Sequence, residues 1–260
     1  MTGRVPFLLA LLMLAGPAKS ENLAEHPAEH PAECRVAANL IEPDFPLPQV
    51  ARALAAKRLS ILVIGSGSML LPGADGSKNA YPARLQHALT EMLPGVEVKV
   101  VTDVQAHRNA VETVKALKPA LAAAKPAPAL VVWGIGTVDA IQAIDPDQFS
   151  HALDHGINIV HSAGADVVLI NAQYSPRTES MIALGTYAEH IRWVALQQKV
   201  PLFDRFSIMK LWADLGTFDL NSATKKLDIA ERVHDCIARL LADLVIEAAK
   251  LDEPHAESGR

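Results

Sequence analysis

The chain has 260 residues, half of them hydrophobic, and a formal net charge of −5. Its 24 lysines and arginines are scattered rather than gathered into a stripe, which excludes the electrostatic footprint of a nucleic-acid-binding protein. Beyond the first 20 residues no segment approaches the roughly 20 apolar residues that a membrane-spanning helix needs.

Met1–Ser20 reads as a secretory signal, with Arg4 as its positive start and "VPFLLALLMLAG" as its apolar core. Ala18 and Ser20 supply small residues for cleavage near Ser20, which predicts a periplasmic or secreted protein. Retention of this segment as an N-terminal anchor is the alternative. Residues 21–33, "ENLAEHPAEHPAE", repeat Glu-His-Pro-Ala. Prolines at that density block helix, and no apolar periodicity is present, so a flexible tether is expected. His26 and His30 match no defined metal-ligand spacing and are expected to be solvated. The only cysteines are Cys34 and Cys236. In an exported chain an even pair favours a disulfide, with two separate buried thiols as the alternative.

From Ser60 onward, short apolar runs alternate with amphipathic stretches. "ILVIG" is the first strand and "YPARLQHALTEML" the first helix after it; "VEVKVV" and "AVETVKALKPALAAA" repeat the unit. "ALVVWG" leads to "DQFSHALDHGINIVHSAG", and "DVVLIN" to "MIALGTYAEHIRWVALQQK". "VPLFD" is a short fifth strand, followed by "RFSIMKLWADLG" and a helix from about Ser222 to Leu251. Such alternation predicts an α/β protein, a three-layer α/β/α sandwich with about five parallel strands. One domain over residues 34–251 and a disordered tail over 252–260 are expected.

In parallel sheets ligands sit beyond the carboxyl ends of the strands. The loops there hold Gly65-Ser66-Gly67-Ser68, Thr102 to His107, Gly134 to Asp139, and Asn171 to Arg177. A serine hydrolase needs a serine at the first turn, a base within hydrogen-bond reach and donors aimed at the oxyanion. Ser66 and Ser68 are the candidate nucleophiles, with His107 or His234 as base. Thr137, Asp139, Tyr174 and Arg177 are candidate ligand contacts beside Ser66 and Ser68, although Arg177 equally suits a structural salt bridge. His151, His155 and His161 share a helix without a third ligand for the first pair, so no metal site is expected. Trp133, Trp193 and Trp212 are expected to be packing residues.

From about Cys34 to the last helix the chain resembles the SGNH (GDSL-type) hydrolase family, in particular its exported bacterial members. "GSGSML…YPARLQ", "WGIGTVDA" and "CIARLLADL" stand where those members carry G-S-S-S-T-A-G with Y-P-x-R-L, W-x-x-G-T-N-D-A, and a final block ending in C-L-A-x-A-L. The resemblance implies a flavodoxin-like fold, and its conserved frame carries a cysteine at each of the positions of Cys34 and Cys236. It also places Gly67 at the nucleophile position and Val138 at the oxyanion-hole asparagine. Ala106 or His107 falls near the oxyanion glycine, Lys225 and Asp228 at the catalytic Asp and His, and His234 at a family tyrosine. The frame is retained while the catalytic letters are replaced. That implies a non-catalytic binding protein for an envelope glycan, acyl ester or protein partner, without a cofactor. An active esterase or acyl transferase using Ser66 or Ser68, and a purely structural envelope component, are the competing readings.

Overall fold

The computed structural model describes residues 30–221 and 226–251. The expected signal segment, His26 with the first part of the tether, Lys225 and the expected tail lie outside the described residues.

Five strands, β1 (Arg58–Ser66), β2 (Glu97–Gln105), β3 (Leu130–Gly134), β4 (Asp166–Ile170) and β5 (Leu202–Phe203), form one sheet in the order β2-β1-β3-β4-β5. Every pairing is parallel. The helices are α1 (Pro48–Ala55), α2 (Gly76–Asn79), α3 (Tyr81–Met92), α4 (Ala110–Ala123) and α5 (Thr137–Ile141). They continue as α6 (Pro146–Ser162), α7 (Pro176–Glu179), α8 (Leu184–Gln198), α9 (Arg205–Asp214) and α10 (Leu227–Ala248). Among the described residues no helix is long and apolar enough to cross a membrane.

The period-two alternation of the strands divides the core into two layers. Ile61, Val63, Val132 and Val168 face one way and pack with Tyr81, Leu85 and Leu89 of α3, Trp212 of α9 and the buried stripe of α10. Leu62, Ile64, Val131, Trp133 and Leu169 face the other way, onto Leu117 of α4, Phe149 and Leu153 of α6, and Ile191 of α8. Each central strand therefore needs apolar residues on both sides, which is why β1, β3 and β4 are continuous apolar runs.

Several boundaries differ from the sequence expectation. β1 continues to Ser66 and β2 to Gln105, and these two residues pair in the ladder. Ser66 and the segment Thr102–Gln105 are thus strand residues rather than loop residues. β2 is an edge strand whose exposed positions tolerate Thr102 and Gln105, so its polar end lacked an apolar signature. Thr137 to Asp139 open α5 instead of lying in a loop. The helix expected from Met181 starts at Leu184, because Ser175 caps the separate short helix α7 through the amide of Thr178. α1 was not anticipated; its first-turn amides of Gln49 and Val50 donate to the Asp166 carboxylate at 2.7 and 2.9 Å. Trp193, expected to pack, is 60% exposed. Ile191, Val194 and Ala195 occupy the buried stripe of α8, and position 193 falls outside it.

The Cys34–Cys236 disulfide is formed, joining residues 202 positions apart. The last residues of the expected tether are fastened to the same helix: His30 pairs with Asp243, and Glu33 with Arg232. Arg232, Cys236 and Asp243 recur at intervals of four and seven, so one face of α10 holds the whole arm.

Candidate functional site

The turn at the carboxyl end of β1 is closed on itself. Ser66, buried at the strand end, and Ser68, in the 3-10 turn Gly67–Met69, share a hydrogen bond of 2.9 Å between their hydroxyls. Among the described residues neither hydroxyl is hydrogen-bonded to an imidazole or a carboxylate. Met69 is fully buried beneath the turn, where a side-chain carbon on Gly65 or Gly134 would stand 2.6 Å from its sulfur. Gly65 also has φ +153° and its added carbon would meet the Gly134 carbonyl oxygen at 2.3 Å, so glycine is required there. Gly67 is different. A carbon added to it would lie 3.4 Å from Ala106 Cα, an ordinary contact.

Behind the turn lies a buried polar group that the sequence did not reveal. Arg205, the first residue of α9, donates from Nε to the Asn171 carbonyl at 3.2 Å and from Nη1 to the Ser68 carbonyl at 3.5 Å. Its guanidinium lies 5.9 Å from the centroid of the Tyr81 ring. Asn171 is held by Asp204, which accepts from its amide at 2.6 Å, while its own Oδ1 accepts the amide of Phe206 at 2.8 Å. Hydrogen bonds from Asn171, Ser207 and Arg192 hold the Asp204 carboxyl below its usual range despite its burial. No periodicity marks such contacts; the only hint was an arginine directly after a capping aspartate.

His234 stands on α10 and is 8% exposed. Its Nδ1 accepts the main-chain N–H of Tyr81 at 3.0 Å. Tyr81 begins α3, so the imidazole satisfies one of the amides that a helix start leaves without an internal partner. Burial, with Arg205 and Arg84 nearby, pushes the ring down to about 3, so it is neutral at any ordinary pH. Burial raises the Tyr81 phenol, whose hydroxyl has no hydrogen-bond partner among the described residues.

His234 and Tyr174 line a cleft of about 460 Å³ at the carboxyl end of the sheet. Leu70, Leu71, Met209, Leu227, Ala230 and Val233 supply its apolar wall, and Gln173, Ser175 and Thr178 further polar atoms. The other sequence candidates lie elsewhere. Ala106 and His107 are exposed where β2 ends; His107 has φ +61°, and its carbonyl accepts from Gln142 at 3.2 Å. Thr137 and Val138 are buried in α5. Asp139 accepts the amides of Ala110 at 2.7 Å and Gly136 at 3.0 Å, and burial raises its carboxyl. Asp228 is exposed in the first turn of α10, and Arg177 is exposed on α7. The fold thus brings Ser66 to Ser68 and Tyr174 to His234, while no candidate base reaches either serine through a hydrogen bond. His151, His155 and His161 are exposed on α6, and among the described residues no group of three or more His, Cys, Asp or Glu could hold a metal ion.

A model of the Non-GDSL lipase-like family matches residues 33–251. No curated protein sequence matches the chain. Among solved structures it is similar to TesA, with 22% identity over 71% of this chain and 99% of that one, at a TM-score of 0.55. It is similar also to the lipase/acylhydrolase from Enterococcus faecalis, with 19% identity over 70% of this chain and 96% of that one, at a TM-score of 0.53. A two-domain esterase active on acetylated mannans gives a TM-score of 0.63 with 14% identity, covering 83% of this chain and 58% of that one. At these identities the likeness is one of fold: a parallel sheet flanked by helices, as in SGNH-type esterases.

Proposed function

The chain belongs to the Non-GDSL lipase-like family, and from that premise we propose that it is an exported, non-catalytic relative of esterases. Its strand-end cleft binds an acyl group held in an ester or amide, an acylated envelope glycan included. The observation that carries this reading is the serine pair, whose hydroxyls bond to each other, with no base hydrogen-bonded to either among the described residues. A serine attacks only when an adjacent base takes its proton. His234, the one histidine among the described residues that line the cleft, has its Nδ1 lone pair committed to Tyr81. Val138, at the position of the oxyanion-hole asparagine, has no side-chain donor, and losing one such donor typically costs about 10²–10³ in rate. The disulfide and the signal-like N-terminus support an oxidising, exported setting. An acylated glycan enters as a wider ligand class because a similar fold serves the esterase active on acetylated mannans.

The test is fluorophosphonate labelling of the purified protein beside its Ser66→Ala and Ser68→Ala variants, with p-nitrophenyl acetate turnover measured on the same samples. All three are expected to stay unlabelled and to match the buffer rate. Labelling or turnover that either substitution abolishes overturns the non-catalytic reading in favour of an active esterase.

A further inference from the structure

The cleft beside His234 has a composition that narrows its ligand. Among its described lining residues there is no Asp, Glu, Lys or Arg, and its volume falls in the roughly 300–1,000 Å³ range of small-molecule sites. Leucines from the turn after β1 and from α10 face Met209 of α9 across it. Tyr174 is the one phenol ring among the described lining residues and packs edge-on against Phe206 at 5.3 Å. A hydrocarbon chain suits such a wall. A free carboxylate would lose its water there with no cation among the described lining residues to replace it.

His234 supplies the directional contact. Since Nδ1 accepts the Tyr81 amide, it carries no hydrogen, and the neutral ring holds its proton on Nε2. Moving that proton to Nδ1 would set two donors against each other. Among the described residues no other group accepts a hydrogen bond from Nε2, while the side chain borders the cleft. Burial first, and then the cationic groups beside it, keep the ring neutral. Arg205 on α9 and Arg84 on α3 are cationic. Glu231 and Asp235, on the helix of His234 itself, are drawn to Arg84 at 3.9 and 3.2 Å. The Tyr81 phenol on α3 is held protonated by burial, and Tyr174 reaches the same cleft from the loop after β4.

We infer that His234 is a fixed Nε2–H donor that orients the uncharged carbonyl of an ester or amide, whose acyl chain lies along the aliphatic wall of this cleft. The inference rests on the acyl-binding reading above and gives the site its selectivity for acyl esters and amides over free acids. It also assigns His234 a role in binding rather than in proton abstraction.

Long-range ¹H–¹⁵N spectra of the purified protein labelled in histidine test it, with octanamide and sodium octanoate as probes. The His234 ring is expected in the Nε2–H form from pH 5 to 8, with octanamide shifting its Nε2 resonance. In calorimetric titrations octanoate is expected to bind at least tenfold more weakly than octanamide. His234→Phe is expected to weaken octanamide about tenfold, the loss of one neutral hydrogen bond, and His234→Gln, which keeps an N–H donor, by no more than about threefold. An Nδ1–H or charged ring, equal affinity for octanoate, no octanamide binding, or a folded His234→Phe that binds as well as the parent would overturn it. Because the spectra are taken on the unsubstituted protein, a variant that fails to fold does not shield the inference. Serine labelling alone would remove the non-catalytic reading and leave the donor in place; a silent Nε2 resonance would remove the donor and leave the serines as they are.

Discussion

The two glycines that flank Ser66 at the end of β1 obey different constraints. Gly65 has no room for a side chain and a φ that other residues avoid, whereas Gly67 has both room and an ordinary backbone. Steric need therefore accounts for glycine at 65 and not at 67, the position that the family resemblance aligns with the nucleophile. His234 makes the same point through its protonation. Its neutral form is favoured in the folded protein, where burial takes it from 6.5 to about 3. Below pH 6.5 the unfolded chain takes up that proton first, so folding stability falls as pH falls, by about 1.4 kcal/mol per pH unit until the folded value is reached. Urea unfolding at a series of pH values between 4 and 7 checks this: His234→Gln is expected to remove that share of the slope, the carboxylate contribution being common to both proteins.

At the scale of elements, the start of α5 and the start of α4 are joined by one carboxylate. Asp139 receives the Gly136 amide at the cap of α5 and the Ala110 amide at the first residue of α4. Asn109 caps α4 separately in a reciprocal bond pair with Glu112. Replacing Asp139 with Ala leaves two buried amides without acceptors, at a cost of roughly 2–4 kcal/mol. Asp139→Asn, which keeps one acceptor oxygen, is expected to lose about half as much, read as the shift in urea midpoint at unchanged slope. The sequence marked Asp139 as a ligand contact because it follows the third strand in a Gly-Thr-x-Asp string. That string specifies a capped turn equally well, and only the packing of α4 against it directs the carboxylate inward.

Across the whole molecule, the disulfide closes a segment of 202 residues between the N-terminal arm and α10. By chain-entropy reasoning a loop of that length is worth roughly 5 kcal/mol, less any strain. Urea midpoints with and without reductant, and for a Cys34→Ala, Cys236→Ala double variant, are expected to fall by an amount equivalent to about 3–5 kcal/mol. A chain unaffected by reduction would mean that the ion pairs of His30 and Glu33 hold the arm alone. The sequence by itself determined the β-α alternation and the parallel sheet, and it favoured the cysteine pairing. Strands buried on both faces must be continuously apolar, helices between them must be amphipathic, and a chain with two cysteines can form one internal disulfide at most. It also determined the frame around Gly67, because "ILVIG" and "YPARLQ" fix the turn between them. Only the tertiary structure decided what the site holds. The bond from Tyr81 to His234 spans 153 positions, the one from Arg205 to Ser68 spans 137, and the cleft is assembled from five separate segments. Contacts between residues so distant leave no periodicity in the chain; they exist only once the sheet has brought those segments to one end.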